Sequence, residues 1–217
     1  MTDEVSSPTI PVRHLRSAAF ALGALWLAVV GSGMVILLKF ATTPGDPGHA
    51  PSRWPEGSRI SLASDRPTLV MAIHPRCPCT RASLYELEQV MARCRGQAAV
   101  HLLVVVPSGA GDDWLGTELD REAASIPGAD LFLDRAGVEA RRFGTATSGH
   151  TLVYNPSGAL AFSGGITEAR GHSGDNFGQE AVVEAIRRGE SSHPTHFVFG
   201  CPLHDPPLPV TLRESRR

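Results

Sequence analysis

The sequence predicts an α/β domain, a mixed sheet flanked by helices, carried behind one N-terminal transmembrane helix. Three observations predict it. Short apolar runs alternate with helix-spaced segments through the middle of the chain. Two strand-like runs close on the turn Asn155-Pro156-Ser157-Gly158. Ala18 to Leu38 contains no charged residue.

That first stretch, as a helix, spans roughly 31 Å at ~1.5 Å per residue, the thickness of bilayer hydrocarbon. It has no polar face, which argues against a buried core helix. It is longer than the apolar part of a cleavable signal, and Leu38 to Thr43 offers no small-x-small cleavage site. Arg13, His14 and Arg16 precede it, and Lys39 alone follows closely. The positive-inside rule then puts residues 1–17 in the cytoplasm and residues 18–38 in the inner membrane as a single pass. The C-terminal bulk falls in the periplasm or another extracytoplasmic space.

Residues 39–59 read as a linker. Thr43-Pro44-Gly45-Asp46-Pro47-Gly48 and Ala50-Pro51 break regular structure. The globular region is expected over 60–190. Thr68–Ile73 is a short apolar run suited to a buried strand. Thr80–Arg95 has helical spacing, with Leu84, Leu87, Val90, Met91 and Cys94 on one face and Gly96 at its end. Ala98–Val106 is a second buried strand, stopped by Pro107. Asp112–Ser125 reads as a helix capped by Asp112 or Asp113. Ala129–Leu133 is a strand and Arg135–Phe143 a short helix ended by Gly144. His150–Tyr154 and Ala159–Ser163 form the hairpin, and Phe177–Arg188 is a last amphipathic helix. Residues 191–217 form a proline-rich tail. Early alternation implies parallel strands with crossover helices, and the hairpin makes the sheet mixed.

Composition narrows the function. The chain has 217 residues, 42% hydrophobic, with a formal net charge of −2, which gives nucleic-acid binding no electrostatic support. Four cysteines are too sparse for a disulfide-stapled scaffold. Two of them, Cys77 and Cys79, are separated by one proline and lie between a buried strand and a helix. A helix start carries unpaired amides and a partial positive charge, which stabilise a thiolate. Arg76 and Arg81 add charge in the sequence nearby. At least one of the two sulfurs is therefore expected to be anionic and open to solvent.

The pattern supports thiol–disulfide chemistry, with Cys77 attacking and Cys79 resolving. Cys201 is an alternative disulfide partner for either thiol. In the second reading, two soft sulfur ligands with a histidine hold a soft metal such as copper. Otherwise no cofactor is expected.

At His74-Pro75-Arg76-Cys77-Pro78-Cys79-Thr80-Arg81-Ala82-Ser83-Leu84, the chain resembles the active-site segment of the thioredoxin-like superfamily. Its plan of anchor, linker and redox domain resembles membrane-anchored, TlpA-like bacterial proteins, and more closely the small RedB-like group. The resemblance covers roughly residues 60–190. It implies a thioredoxin fold and exchange with protein dithiols or disulfides. Two departures stand out. The family motif is Cys-x-x-Cys, and here it is Cys-x-Cys. The family's cis-proline before the hairpin is replaced within Ser148-Gly149-His150-Thr151-Leu152, so that Gly149 or His150 takes its place. A histidine there would act as a base toward Cys77 or join Cys77 and Cys79 as a metal ligand. Sco-type copper chaperones, of the same broad fold, use two cysteines with a histidine.

The remaining candidates are auxiliary. His74 either tunes Cys77 or is a turn residue. Cys94 reads as a structural core thiol. Cys201 lies in the apolar run His196–Leu203, which could dock on the domain as a last strand. The polar loop Gly171–Asn176 is either a cover over the site or an ordinary loop.

Overall fold

The computed structural model describes residues 12–111, 114 and 118–204. It divides into two units, the helical N-terminal segment up to Ala41 and a domain from Thr42 onward. Helix α1 runs Val12–Thr42. Within it, Arg16–Thr42 is long and apolar enough to cross a membrane. Phe20, Leu25, Trp26 and Ile36 all present their side chains outward.

The domain is built on strand β1 (Thr68–Ile73), whose six residues are all buried. Alternation splits them between two cores. Leu69, Met71 and Ile73 join one apolar cluster, Val70 and Ala72 the other. Strand β2 (Ala99–Val106) pairs parallel with β1, and β3 (Ala129–Arg135) pairs parallel with β2. On the other side of β1, strand β4 (His150–Tyr154) runs antiparallel, followed by β5 (Leu160–Gly164). The sheet order is β3-β2-β1-β4-β5, a mixed five-stranded sheet flanked by helices: the thioredoxin-like fold the sequence predicts.

Helix α2 (Thr80–Arg93) follows β1 and buries Leu84, Leu87, Val90 and Met91. Its spacing explains the choice of face, and Gly96, at φ 70°, lies just beyond its end. Helix α3 covers Glu118–Ser125, and the expected caps Asp112 and Asp113 lie outside the described residues. Helix α4 is only Val138–Arg142, shorter than the spacing predicts. The chain around residue 135 stays extended because β3 continues to Arg135, and the Asp134 carboxylate accepts the N–H groups of Glu139 and Ala140. Helix α5 (Phe177–Arg188) is capped by Asn176, whose side chain accepts the N–H of Gln179 at 2.8 Å. Glu86 of α2, fully buried, ties the two helices by accepting from Gln179 Nε2 (2.7 Å) and Gly174 N (2.6 Å).

The proline- and glycine-rich stretch before Ile60 has almost no regular structure, yet it is not a free spacer. Gly45 N donates to Val198 O, His49 N to Gly144 O, and Trp54 N to Gly158 O. Trp54 packs edge-on against Phe143 and Tyr154, with centroids 5.0 and 5.3 Å away. The broken backbone finds its hydrogen-bond partners on the domain, so the compact unit begins at Thr42. The tail also docks, through isolated bridges Ser163–Thr195 and Thr147–Pro202. Residues 205–217 lie outside the described part.

Candidate functional site

Strand β1 ends at Ile73, and a tight turn carries the chain into α2. His74 organises that turn. Its carbonyl accepts Cys77 N (3.0 Å) and Thr80 Oγ1 (3.3 Å), and its ring Nδ1 accepts Arg76 N (3.2 Å). Its own N–H donates to Ser148 Oγ (2.9 Å), which in turn shares a 2.8 Å hydrogen bond with Thr80 Oγ1. Burial, then the Arg76 charge, lowers the His74 pKa. These contacts fix the turn that carries Cys77.

Cys77 sits inside the turn and Cys79 at the N-cap of α2. Both are buried, Cys77 at 1% exposure and Cys79 at 8%. This corrects the expectation of a solvent-open sulfur. The reason is tertiary: the docked tail brings Cys201 into hydrogen-bonding contact with Cys77.

The three thiols are not equivalent. Burial acts to raise the Cys77 pKa. The thiol and N–H of Cys201, the Thr80 hydroxyl and the N–H of Cys79 outweigh it, and the net shift is downward. Cys79 is shifted up by burial and by the neighbouring Cys77, against an opposing contact from Arg170. Cys201 is pushed up to about 12 by burial and by donating to Cys77. A single anion among the three thus falls on Cys77, with Cys201 as its donor.

The cation that meets a sulfur was not legible beforehand. Arg170, in the loop between β5 and α5, hydrogen-bonds Cys79 and also donates to the carbonyl of Gly200. Arg76 instead lies over the Trp114 ring, 4.1 Å from its centroid, and Arg81 pairs with Glu122 at 3.1 Å. Ser148 was likewise missed as a site residue. The only signal for Arg170 was its place beside the polar loop Gly171–Asn176, which is tied to α2 through Gly174 N and Glu86.

His150 lies elsewhere. It is fully buried, its Nε2 shares a 2.9 Å hydrogen bond with Ser163 Oγ, and its Nδ1 has no hydrogen-bond partner. Burial pushes its pKa down to about 4, so the ring is neutral. None of its hydrogen bonds is to a thiol. Among the described residues no group of three or more His, Cys, Asp or Glu side chains is placed to hold a metal ion, so the set Cys77, Cys79 and His150 is not assembled. The physical cause is the strand register: His150 pairs with Ala72 within the sheet, and its ring is spent on β5. Gly149 occupies the approach to α2, at φ 90°, where a Cβ would lie 2.6 Å from Ser83 Oγ. No peptide bond is cis among the described residues. Cys94 is in the core with its pKa raised by burial, as a structural thiol should be.

No protein-family model matches the chain, and no curated protein matches it. Solved structures do share the fold. An uncharacterized conserved protein from Geobacillus kaustophilus aligns with a TM-score of 0.54 at 14% identity, over 77% of this chain and 95% of its own. A hypothetical protein from Sinorhizobium meliloti 1021 aligns with a TM-score of 0.53 at 20% identity, over 74% and 93%. A secreted Mycobacterium tuberculosis disulfide oxidoreductase aligns with a TM-score of 0.39 at 14% identity, over 57% and 82%. At these identities the likeness concerns the fold alone.

Proposed function

We propose that this chain is a membrane-anchored thiol–disulfide oxidoreductase whose nucleophile is Cys77. One observation carries the reading: Cys77 and Cys79 sit in the turn and N-cap that open α2, with the Cys201 segment hydrogen-bonded to Ser148 beside them, and donors from Cys201, Thr80 and Cys79 lower the Cys77 pKa. A thiolate so placed attacks a disulfide of a protein substrate, forms a mixed disulfide, and is released by a neighbouring thiol, for which Cys79 is the candidate nearest in sequence. The α1 helix serves as the anchor, and the basic residues before it favour an extracytoplasmic, periplasmic domain, where disulfides persist. The plan agrees with the resemblance to TlpA-like and RedB-like proteins.

The test is insulin disulfide reduction by the full chain in detergent, with dithiothreitol as electron donor. Cys77→Ser abolishes turnover and Cys94→Ser leaves it. Equal turnover in wild type and Cys77→Ser ends the proposal. Stoichiometric Cu(I) uptake by the reduced protein, lost on removing either Cys77 or Cys79, would favour the copper-handling reading instead. A reporter fused after Arg217 checks the topology: activity only as a cytoplasmic fusion reverses it.

A further inference from the structure

The tail runs beside the loop that precedes β4, through one isolated antiparallel bridge. Ser148 N donates to Cys201 O at 2.8 Å, and Leu203 N donates to Ala146 O at 2.8 Å, around the antiparallel bridge Thr147–Pro202. Arg170 also donates to the carbonyl of Gly200. These are mainly backbone bonds, the kind any extended polypeptide makes when it adds to an exposed edge. Side-chain chemistry enters at two positions. Cys201 delivers its sulfur to Cys77. Gly200 passes so close to Ser148 that a Cβ would lie 2.0 Å from its carbonyl oxygen. The edge therefore favours glycine over larger residues immediately before the cysteine.

We infer that the segment Gly200-Cys201-Pro202 is a tethered substrate mimic that closes the Cys77 site, and that the substrates are extended polypeptides presenting Gly-Cys, which displace it from the Ala146–Ser148 edge. The inference rests on the thiol exchange proposed above and assigns its substrate class and its resolving thiol. Cys77 thiolate attacks a substrate disulfide R–S–S–R′, forming Cys77–S–S–R and expelling R′S⁻. When the tail returns, Cys201 gives up its proton and attacks the Cys77 sulfur, expelling RS⁻. The products are the Cys77–Cys201 disulfide and two reduced substrate sulfurs. Two electrons pass from the protein sulfurs to the substrate; the one proton released by Cys201 goes to one expelled thiolate, and the other expelled thiolate takes its proton from water.

The test uses the full reduced chain in detergent. A bulky maleimide is allowed to react, and labelling of Cys77 and Cys94 is mapped by mass spectrometry. Gly200→Val has no room against Ser148, so the tail lifts. Cys77 labelling then accelerates on the order of tenfold, the change expected when about 1.4 kcal/mol of docking is lost. Cys94 stays unlabelled, which reports an intact core. Equal Cys77 rates in wild type and Gly200→Val overturn the inference without touching turnover on insulin.

In the unaltered chain, a synthetic disulfide peptide containing Gly-Cys-Pro reacts faster than its Val-Cys-Pro counterpart and leaves Cys77 joined to Cys201. Equal rates for the two peptides, or Cys77 joined only to Cys79, also overturn the inference. Accelerated labelling with no exchange on any disulfide upholds the cover and sinks the proposed function.

Discussion

Arg170 hydrogen-bonds the sulfur of Cys79 while donating to the carbonyl of Gly200, so one guanidinium joins the second thiol to the tail. The contact crosses three parts of the chain that sequence separation keeps apart: the turn after β1, the loop after β5 and the segment past α5. A hydrogen bond from a charged donor is worth about 1.5–3 kcal/mol. Replacing Arg170 with Met removes both bonds. The Cys79 pKa then rises further and the tail loosens. The expected outcome is faster maleimide labelling of Cys77 in Arg170→Met, with Cys94 still protected; an unchanged rate means the clamp has no hold on the tail.

Cys77 owes its lowered pKa to donors that include the Cys201 thiol. The midpoint of its pH–rate profile for alkylation by iodoacetamide therefore lies below the ordinary thiol value of 9.0. Cys201→Ala deletes the thiol donor and keeps the backbone N–H, so the midpoint moves up. Cys94→Ala, far from these donors in the core, leaves it in place. A downward movement in Cys201→Ala contradicts the assignment of donor and acceptor.

His150 is buried neutral, with its pKa pushed from 6.5 to about 4. An unfolded chain takes up this proton near pH 6.5 and the folded chain only near pH 4. The stability contribution is therefore complete above pH 6.5 and is lost as pH falls through that window. Its size is roughly 3 kcal/mol, at about 1.36 kcal/mol per pKa unit. Urea titrations at pH 7 and pH 4.5 measure the slope. His150→Gln, which does not titrate, shows a smaller acid loss than wild type; an identical loss assigns the slope to other groups.

The segment before Ile60 is load sharing rather than spacing, because Trp54 fills an edge-on position between Phe143 and Tyr154. Trp54→Ala lowers unfolding free energy by about 2–4 kcal/mol. Gly149→Ala places a Cβ at φ 90° against Ser83 and costs about 1–3 kcal/mol. Both are read by thermal or urea unfolding of the full chain. A change under about 0.5 kcal/mol in Trp54→Ala shows a segment that rests on the domain without supporting it.

The sequence by itself determined the elements whose cause is local. The uncharged run becomes α1, the Asn155–Gly158 turn closes the hairpin, and the apolar face of α2 follows from the spacing of Leu84, Leu87, Val90 and Met91. The juxtaposition of Cys77 and Cys79 with a helix start was legible for the same reason, since strand, turn and helix are consecutive. Only the tertiary structure decided what surrounds the sulfurs. No local pattern brings Arg170 to Cys79, Cys201 to Cys77 or Ser148 to the turn, and none removes His150 to Ser163. These follow from which strand pairs with which, and from a tail that satisfies its backbone polar groups on a distant edge. Spacing along a chain encodes the faces of single elements, whereas contact across elements depends on how every other element has packed.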